Sequence, residues 1–424
     1  MAMASSGQGC AAPHEHGQRT SRSGELPLAG IRVVDLTTSY AGPTASMLLA
    51  DMGADVVKVE RPVTGDDARH WGPPFVGPTS AWFLSANRNK RSVCINLSNP
   101  GGRAVLSRLI ADADVFLESM NPRKLLELRI DPDSLREEKS SLVYCALSGF
   151  GLSGPDRDLP GYDLIAQARS GLMSVTGELD GTPQRVSTAL SDVTTGIVAA
   201  FAVTAALRKK ERTGEGTCID ASLLDADLAL MAPRIAAYMA GEPEPRPSGA
   251  TDSVLAIYQS FETADEPLTL AIGNEPIWQR FCASVGLDEL GRDPRYDSNA
   301  KRHAARGELV DRIAEVMRGQ TQAHWLDVLQ QAGVPCSPVQ YLSEVVADEQ
   351  VRARGALVQL ESGDDGPFHA VESPWRFIDG GKLDHTPPPA LGAHTRTVLA
   401  EHGYESHQID ELIESEAVWQ PPRS

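Results

Sequence analysis

The chain has 424 residues, of which 41% are apolar and 23% charged; these are ordinary globular proportions, and the length exceeds what one hydrophobic core usually supports, so two domains are expected. Its 39 basic residues against 57 acidic ones give a net charge of −18, which excludes a nucleic-acid binder that works by broad phosphate neutralisation. Any anionic ligand has to meet a local basic patch.

Residues 1–26, rich in Ser, Gly, Ala and His, lack an apolar core of signal-peptide length and read as a disordered leader. Ile31 to Leu36 is a short apolar run, followed by a helical pattern over Thr44 to Met52 that Gly53 closes, and then a second strand at Asp55 to Glu60. That β-α-β unit implies parallel strands. The alternation goes on with strands at Ser92 to Leu97, Asp114 to Glu118 and Ser141 to Ser148, and a helix through Arg103 to Ala111. The fold class is therefore α/β, with a Rossmann-like doubly wound parallel sheet in a large domain. An Ala-rich helix over Thr194 to Lys210, a strand-like Thr217 to Leu223 and one long helix over Leu224 to Met239 lead into a Pro-rich stretch at 243–247 that reads as a domain boundary. A smaller α/β domain follows, with a strand near Leu268 to Ile272 and helices around Ile277 to Val285 and Glu308 to Arg318. The expected division is 27–225 for the first part of the large domain, 226–330 for a linker helix and the small domain, and 331–424 for the return.

The longest apolar stretch, Ile197 to Leu207, is about half the length a bilayer needs, so no membrane span is expected. The six cysteines (Cys10, Cys94, Cys145, Cys218, Cys282, Cys336) form no CxxC pair and have no histidines at metal-ligand spacing. Reduced thiols, a cytoplasmic location and no metal site follow as expectations.

The turn Thr38-Ser39-Tyr40-Ala41-Gly42-Pro43 lacks the three glycines of a dinucleotide fingerprint, and no GxxxxGK[ST] loop exists to cradle ATP. Either that turn is only a tight entry to a helix, or it offers free helix-terminal amides to a ligand. Asn87-Arg88-Asn89-Lys90-Arg91 is a basic cluster, read either as a solvated face or as a polyanion dock. In Gly161-Tyr162-Asp163-Leu164-Ile165 the aspartate stands at a helix start, where the commonest use of Asp is as an N-cap.

Taken together these segments resemble the class III (CaiB/BaiF, formyl-CoA transferase-like) CoA-transferases from Leu28 to Tyr404. The carriers are Leu28 to Leu36, Ala41-Gly42-Pro43 with Leu48 to Glu60, Asn89 to Ser92, Ser148-Gly149-Phe150-Gly151 through Pro155, Gly161-Tyr162-Asp163, Thr213 to Gly216, Gly333 to Cys336, and Leu391 to Thr395. The resemblance implies an enzyme that moves coenzyme A between an acyl-CoA, such as succinyl-CoA, and a free carboxylic acid. It puts the nucleophile at Asp163 and routes the reaction through an aspartyl anhydride and an aspartyl-CoA thioester. It implies Tyr40 beside the thioester, where relatives have Gln. Oxyanion donors are expected from Gly149, Gly151 and Gly273, and contacts to coenzyme A from Arg61, Lys90, Arg91, Ile95, Ser119 and Leu128. Coenzyme A is a co-substrate rather than a bound cofactor, and the partners are acyl-CoA, a small carboxylic acid and a second copy of the chain in an interlocked homodimer. Cys336 and His394 look like a catalytic pair, but they fall in motifs that shape structure in that family. Two other readings stay in play: an α-methylacyl-CoA racemase, whose usual Gly-His-Asp is Gly161-Tyr162-Asp163 here, and a non-catalytic CoA-ester-binding protein.

Overall fold

A computed structural model describes residues 26–361, 366–378 and 383–422; the expected leader falls outside them except for Leu26. Six parallel strands, Arg32–Leu36, Asp55–Glu60, Lys90–Ile95, Val115–Glu118, Val143–Ser148 and Thr217–Ser222, form one sheet. Numbered by chain order, they lie 3-2-1-4-5-6 in space, and Val418–Trp419 adds an antiparallel seventh strand against Lys90–Ile95. The strands are covered on both faces, which is why they read as apolar runs without alternation. One face packs Val34, Val57, Val93, Phe116 and Tyr144 under the helix Pro100–Asp112; the other packs Val33, Val56, Val115 and Val143 under Ala41–Asp51 and Leu190–Thr213.

Local chemistry explains the helix boundaries. Asn99 accepts a hydrogen bond from Gly101 N and Pro100 occupies the first turn, so Pro100–Asp112 starts three residues before the apolar periodicity does. The single helix expected over 224–239 is two, Leu223–Leu230 and Ala232–Met239, because Pro233 has no amide hydrogen to give the preceding turn. The Ala-rich helix spans Leu190–Thr213, 24 residues, and is by length and composition long and apolar enough to cross a membrane, unlike the shorter run read from the sequence. Here its small-residue face packs on Ala41–Asp51: a Cβ on Gly196 would lie 2.8 Å from Ala41 O, so only glycine lets the two backbones approach.

A second core, around Trp278, Phe281, Leu309, Ile313 and Leu329, belongs to the small domain. Its antiparallel sheet joins Tyr258–Phe261, Leu268–Ala271 and Cys336–Pro338, so the small domain reaches past the boundary expected at 330. The segment after Pro335 also holds a hairpin, Leu357–Glu361 with Pro367–Val371, and the helix Ser406–Glu414.

Candidate active site

The strand order reverses direction between Arg32–Leu36 and Val115–Glu118, and connections from these two neighbours leave toward opposite faces. A crevice opens beyond their carboxyl ends, the place where α/β sheets bind ligands. Two cavities occupy it. One, of about 440 Å³, is lined among others by Ser39, Gly42, Ser119, Gly149, Tyr162 and Asp192; the other, of about 500 Å³, by Arg61, Asp67, Ile95, Asn96 and Ser98. Thr38 and Met120 line both, so the two are continuous parts of one groove.

Asp163 stands beside this edge, one residue past the groove-lining Tyr162, and lines neither cavity itself; a glycine contact sets its place. Gly149 follows the strand Val143–Ser148 and its backbone touches that of Gly161, where a Cβ on Gly149 would fall 2.5 Å from Gly161 Cα. Two residues on, the helix Asp163–Arg169 begins, with Tyr162 rather than Asp163 as its cap residue. The half-buried Asp163 carboxylate does not cap its own helix. One oxygen, Oδ1, accepts from Gln167 Nε2 at 2.6 Å; the other, Oδ2, accepts from the backbone amides of Ser191 at 2.8 Å and Asp192 at 3.4 Å. The carboxylate therefore sits on the amino terminus of the 24-residue helix, where unpaired amides and the helix dipole favour an anion. Gln167 is fully buried and its Oε1 accepts from Val186 N at 2.9 Å, which fixes the clamp.

Two more carboxylates converge here. Asp227, fully buried, accepts from Ser191 Oγ at 2.8 Å, and Ser191 Oγ also lies 3.3 Å from Asp163 O. Burial, with the Asp163 charge beside it, pushes the Asp227 carboxyl above the ordinary carboxylate range, although the Ser191 hydroxyl opposes this. Asp192 lines the groove; burial first, then the charges of Asp163 and Asp227, push its carboxyl up to about 7. Sequence reasoning missed Ser191, Asp192 and Asp227. The available signal was Ser-Asp ahead of an apolar helical run, the pattern of a helix amino terminus that collects anions.

The other sequence candidates divide. Arg61 and Ile95 line the second cavity; the Arg61 side chain donates from Nε to Gly65 O at 3.0 Å, pairs with Asp67, and is half exposed. Ser119 lines the first cavity and its Oγ accepts from Thr38 N at 3.1 Å. Tyr40 directs its hydroxyl to Ser85 Oγ at 2.8 Å and its ring edge-on to Trp82, and burial raises its hydroxyl above the usual range. Gly149 lines the groove, but the Gly151 amide is already given to Ser148 Oγ at 2.8 Å, so it is not a free oxyanion donor. Gly273 is an exposed residue of the small domain and lines neither cavity.

The basic cluster is a correction. Lys90 is buried, its ammonium bonded to Pro43 O and Asn87 Oδ1 at 2.8 Å each and 3.3 Å from Asp35 Oδ2. Arg88 is buried against Asp51 at 2.6 Å, and Arg91 pairs with Asp55 and Glu401 at 2.6 Å each. Arg91 stands near the amino end of its strand, roughly 13 Å along the chain from the groove beyond Ile95. Leu128 packs against the sheet core and lines neither cavity. Lys90 and Arg88 are spent on interior carboxylates, because a buried cation needs internal partners, while Arg91 is spent on two half-exposed ones. Among the described residues no group of three or more His, Cys, Asp or Glu is placed to hold a metal.

Residues 28–395 match the model of CoA-transferase family III. The chain is 36% identical over 393 residues to a human protein named succinyl-CoA:glutarate CoA-transferase, covering 92% of this chain and 90% of that one. It is 39% identical over 381 residues to an Agrobacterium fabrum succinate--glutarate CoA-transferase, covering 88% and 95%. A solved CaiB/BaiF family protein from Brucella suis superposes with a TM-score of 0.78 at 34% identity, over 89% of this chain and all of that one.

Proposed function

The chain belongs to CoA-transferase family III and is a CoA-transferase, and from that premise we propose that it works through covalent chemistry on Asp163. The observation that carries this reading is the Asp163 carboxylate, held beside the switch-point crevice by Gln167 and by two backbone amides, and in no ion pair among the described residues.

A carboxylate oxygen of Asp163 attacks the thioester carbonyl of the donor acyl-CoA. The C–S bond breaks, coenzyme A leaves as thiolate, and a mixed anhydride remains on Asp163. The thiolate then attacks the aspartyl carbonyl, the donor acid leaves as carboxylate, and an aspartyl-CoA thioester forms. The acceptor acid repeats both steps in reverse and departs as its CoA ester, returning Asp163 to a carboxylate. One thioester is made for each one broken, so the exchange is nearly thermoneutral.

The clamp also suits the intermediates. When sulfur or carboxylate oxygen attacks the aspartyl carbonyl, negative charge gathers on the oxygen that remains. Ser191 N and Asp192 N already point at Oδ2, so they are the preorganised donors for that oxyanion. One such donor is typically worth ~2.7 to 4 kcal/mol. They replace the Gly151 amide expected from sequence.

As substrates we propose succinyl-CoA and a dicarboxylic acid of glutarate size, a reading supported by the names of the relatives above. The 500 Å³ part of the groove, with Arg61, Ile95 and Ser98, would take the nucleotide end of coenzyme A. An interlocked homodimer accords with the apolar side chains left exposed on the helices behind the site, Ile197, Val198, Phe201, Leu230 and Met239. A cytoplasmic location accords with the five free cysteines among the described residues. The deciding experiment incubates the protein with succinyl-CoA, traps with hydroxylamine or borohydride, and maps the modified peptide by mass spectrometry. Adducts at Asp163 are expected; full turnover with Asp163 never modified would overturn the mechanism.

A further inference from the structure

The groove beside Asp163 is electrostatically hostile to an acid. Asp158 and Asp192 line it, and the Asp163 carboxyl group stands beside it on the amides of Ser191 and Asp192. Among the residues lining this 440 Å³ part of the groove there is one cation, Arg157; Arg61 lines the other part. Arg157 belongs to the loop that delivers Gly161 and Asp163, and that loop is tied down on both sides. Asp156 accepts from Arg169 Nη2, on the Asp163 helix, at 2.7 Å, and Leu159 N donates to Asp156 O at 2.9 Å. The Gly149 contact fixes its far end. The backbone at Arg157 thus has a set position six residues before Asp163.

Its charge is also uncommitted. Its nearest carboxylate is Asp158, 4.0 Å from Nε, and Asp158 lies 3.7 Å from Arg123 as well, with all three side chains substantially exposed. Loose exposed pairs of that kind contribute little. Of the other arginines, Arg169 is engaged with Asp156, Arg61 with Gly65 O and Asp67, and Arg185 Nε with Val186 O, while Arg123, as loosely paired as Arg157, does not line this cavity. A planar guanidinium fork matches a carboxylate in two parallel hydrogen bonds, which a monocarboxylic substrate, its one carboxyl group committed to Asp163, cannot engage.

Resting on the CoA-transfer reading above, we propose that Arg157 is a specificity-determining residue that binds the distal carboxylate of a dicarboxylic substrate while its proximal carboxyl group reacts at Asp163. The free acid and its CoA ester use the same contact, since both carry the same distal group. Selection for a diacid is then built into the loop that presents the nucleophile.

The test uses the full chain with wild type, Arg157→Met and Arg157→Lys. With succinyl-CoA as donor, Arg157→Met is expected to lower kcat/KM for glutarate by about 10- to 100-fold, the range of a lost charged hydrogen bond. Arg157→Lys should recover part of it, and glutarate should raise the Tm of wild type but not of Arg157→Met. Free coenzyme A lacks the distal carboxylate, so its inhibition constant should stay within about twofold across the three proteins. A tenfold weaker constant for coenzyme A would reassign Arg157 to the cofactor's phosphates and overturn the proposal. So would an Arg157→Met protein as active on glutarate as wild type. A wild type that transfers coenzyme A between no pair of acids would instead strike the Asp163 chemistry, and this inference with it.

Discussion

Carboxylates crowd two places in this protein, and they are treated in opposite ways. Under the first turn of the sheet, Asp35 and Asp66 meet Lys58 and Lys90, all buried, with Lys58 Nζ 2.9 Å from Asp66 Oδ2 and Lys90 Nζ 3.3 Å from Asp35 Oδ2. Burial opposes the Asp35 charge, yet Lys58, Lys90 and hydroxyls from Ser46 and Thr37 outweigh it and hold that carboxyl below its ordinary value. At the crevice, Asp163, Asp192 and Asp227 share amides and hydroxyls but no cation, and the acid that lines the groove is pushed up to about 7. Paired charges hold the frame; the unpaired ones lie beside the edge where α/β sheets bind ligands, which is where perturbed carboxyl groups mark candidate reactive sites.

Breaking each region separates the two roles, and the largest effect is expected at the nucleophile. Asp163→Asn keeps the shape but replaces a nucleophilic carboxylate with an amide, so kcat should fall by on the order of 10³-fold or more with little change in thermal unfolding. In the paired region, Lys90→Ala leaves Asp35 short of a buried counter-charge, and urea unfolding should show about 3 to 5 kcal/mol lost. The KM for acyl-CoA of whatever folded protein remains should not move, since Lys90 touches no part of the groove. A raised KM would return Lys90 to the binding site. Gln167→Met removes one donor from Oδ1 and should lower kcat by roughly 10-fold, given the ~1.5 to 3 kcal/mol of a hydrogen bond to a charged group.

The smallest and sharpest test is a pH profile. Asp192 carries its proton up to about pH 7, held by burial and by the charges of Asp163 and Asp227, while Tyr40, the remaining titratable group coupled to it, stays neutral there. Above that pH a further anion appears in a groove that must admit anionic acids, so kcat/KM should decline as pH rises through 7. Asp192→Asn should remove the decline. Stability follows the same sign: the folded state holds this proton more tightly than the unfolded chain, so the group's contribution is full below about pH 4 and is lost as pH rises to 7. Relative to wild type, Asp192→Asn should gain Tm across that window and no further above it. A constant Tm difference would show that Asp192 is ionised throughout.

Much of this was legible before any coordinates. The parallel strands announced themselves as apolar runs with turn residues between them, because a strand covered on both faces must be apolar along its length. The order of motifs from Leu28 to Thr395 pointed to one family, and Asp163 was named as its nucleophile. Of the residues named for coenzyme A and the oxyanion, Arg61, Ile95, Ser119 and Gly149 line the groove. What failed was direction. Lys90 and Arg91 read as a patch for a polyanion and turned inward to Asp35 and toward Asp55; local pattern offered a cap as the commonest use of Asp163, and its carboxylate instead meets the amino terminus of another helix, 28 residues away in sequence.

The amino-acid sequence alone determined the alternation of strand and helix and the family, and it named the residue proposed to carry the chemistry, since these depend on local periodicity and on the order of motifs. Tertiary structure decided which charges face each other. Lys58 and Asp66, or Asp163, Ser191 and Asp227, are brought together only when the strands order themselves around the switch point and Gly149 meets Gly161. An ion pair or a hydrogen bond depends on distance in space, and distance in space between residues far apart in the chain is set by packing.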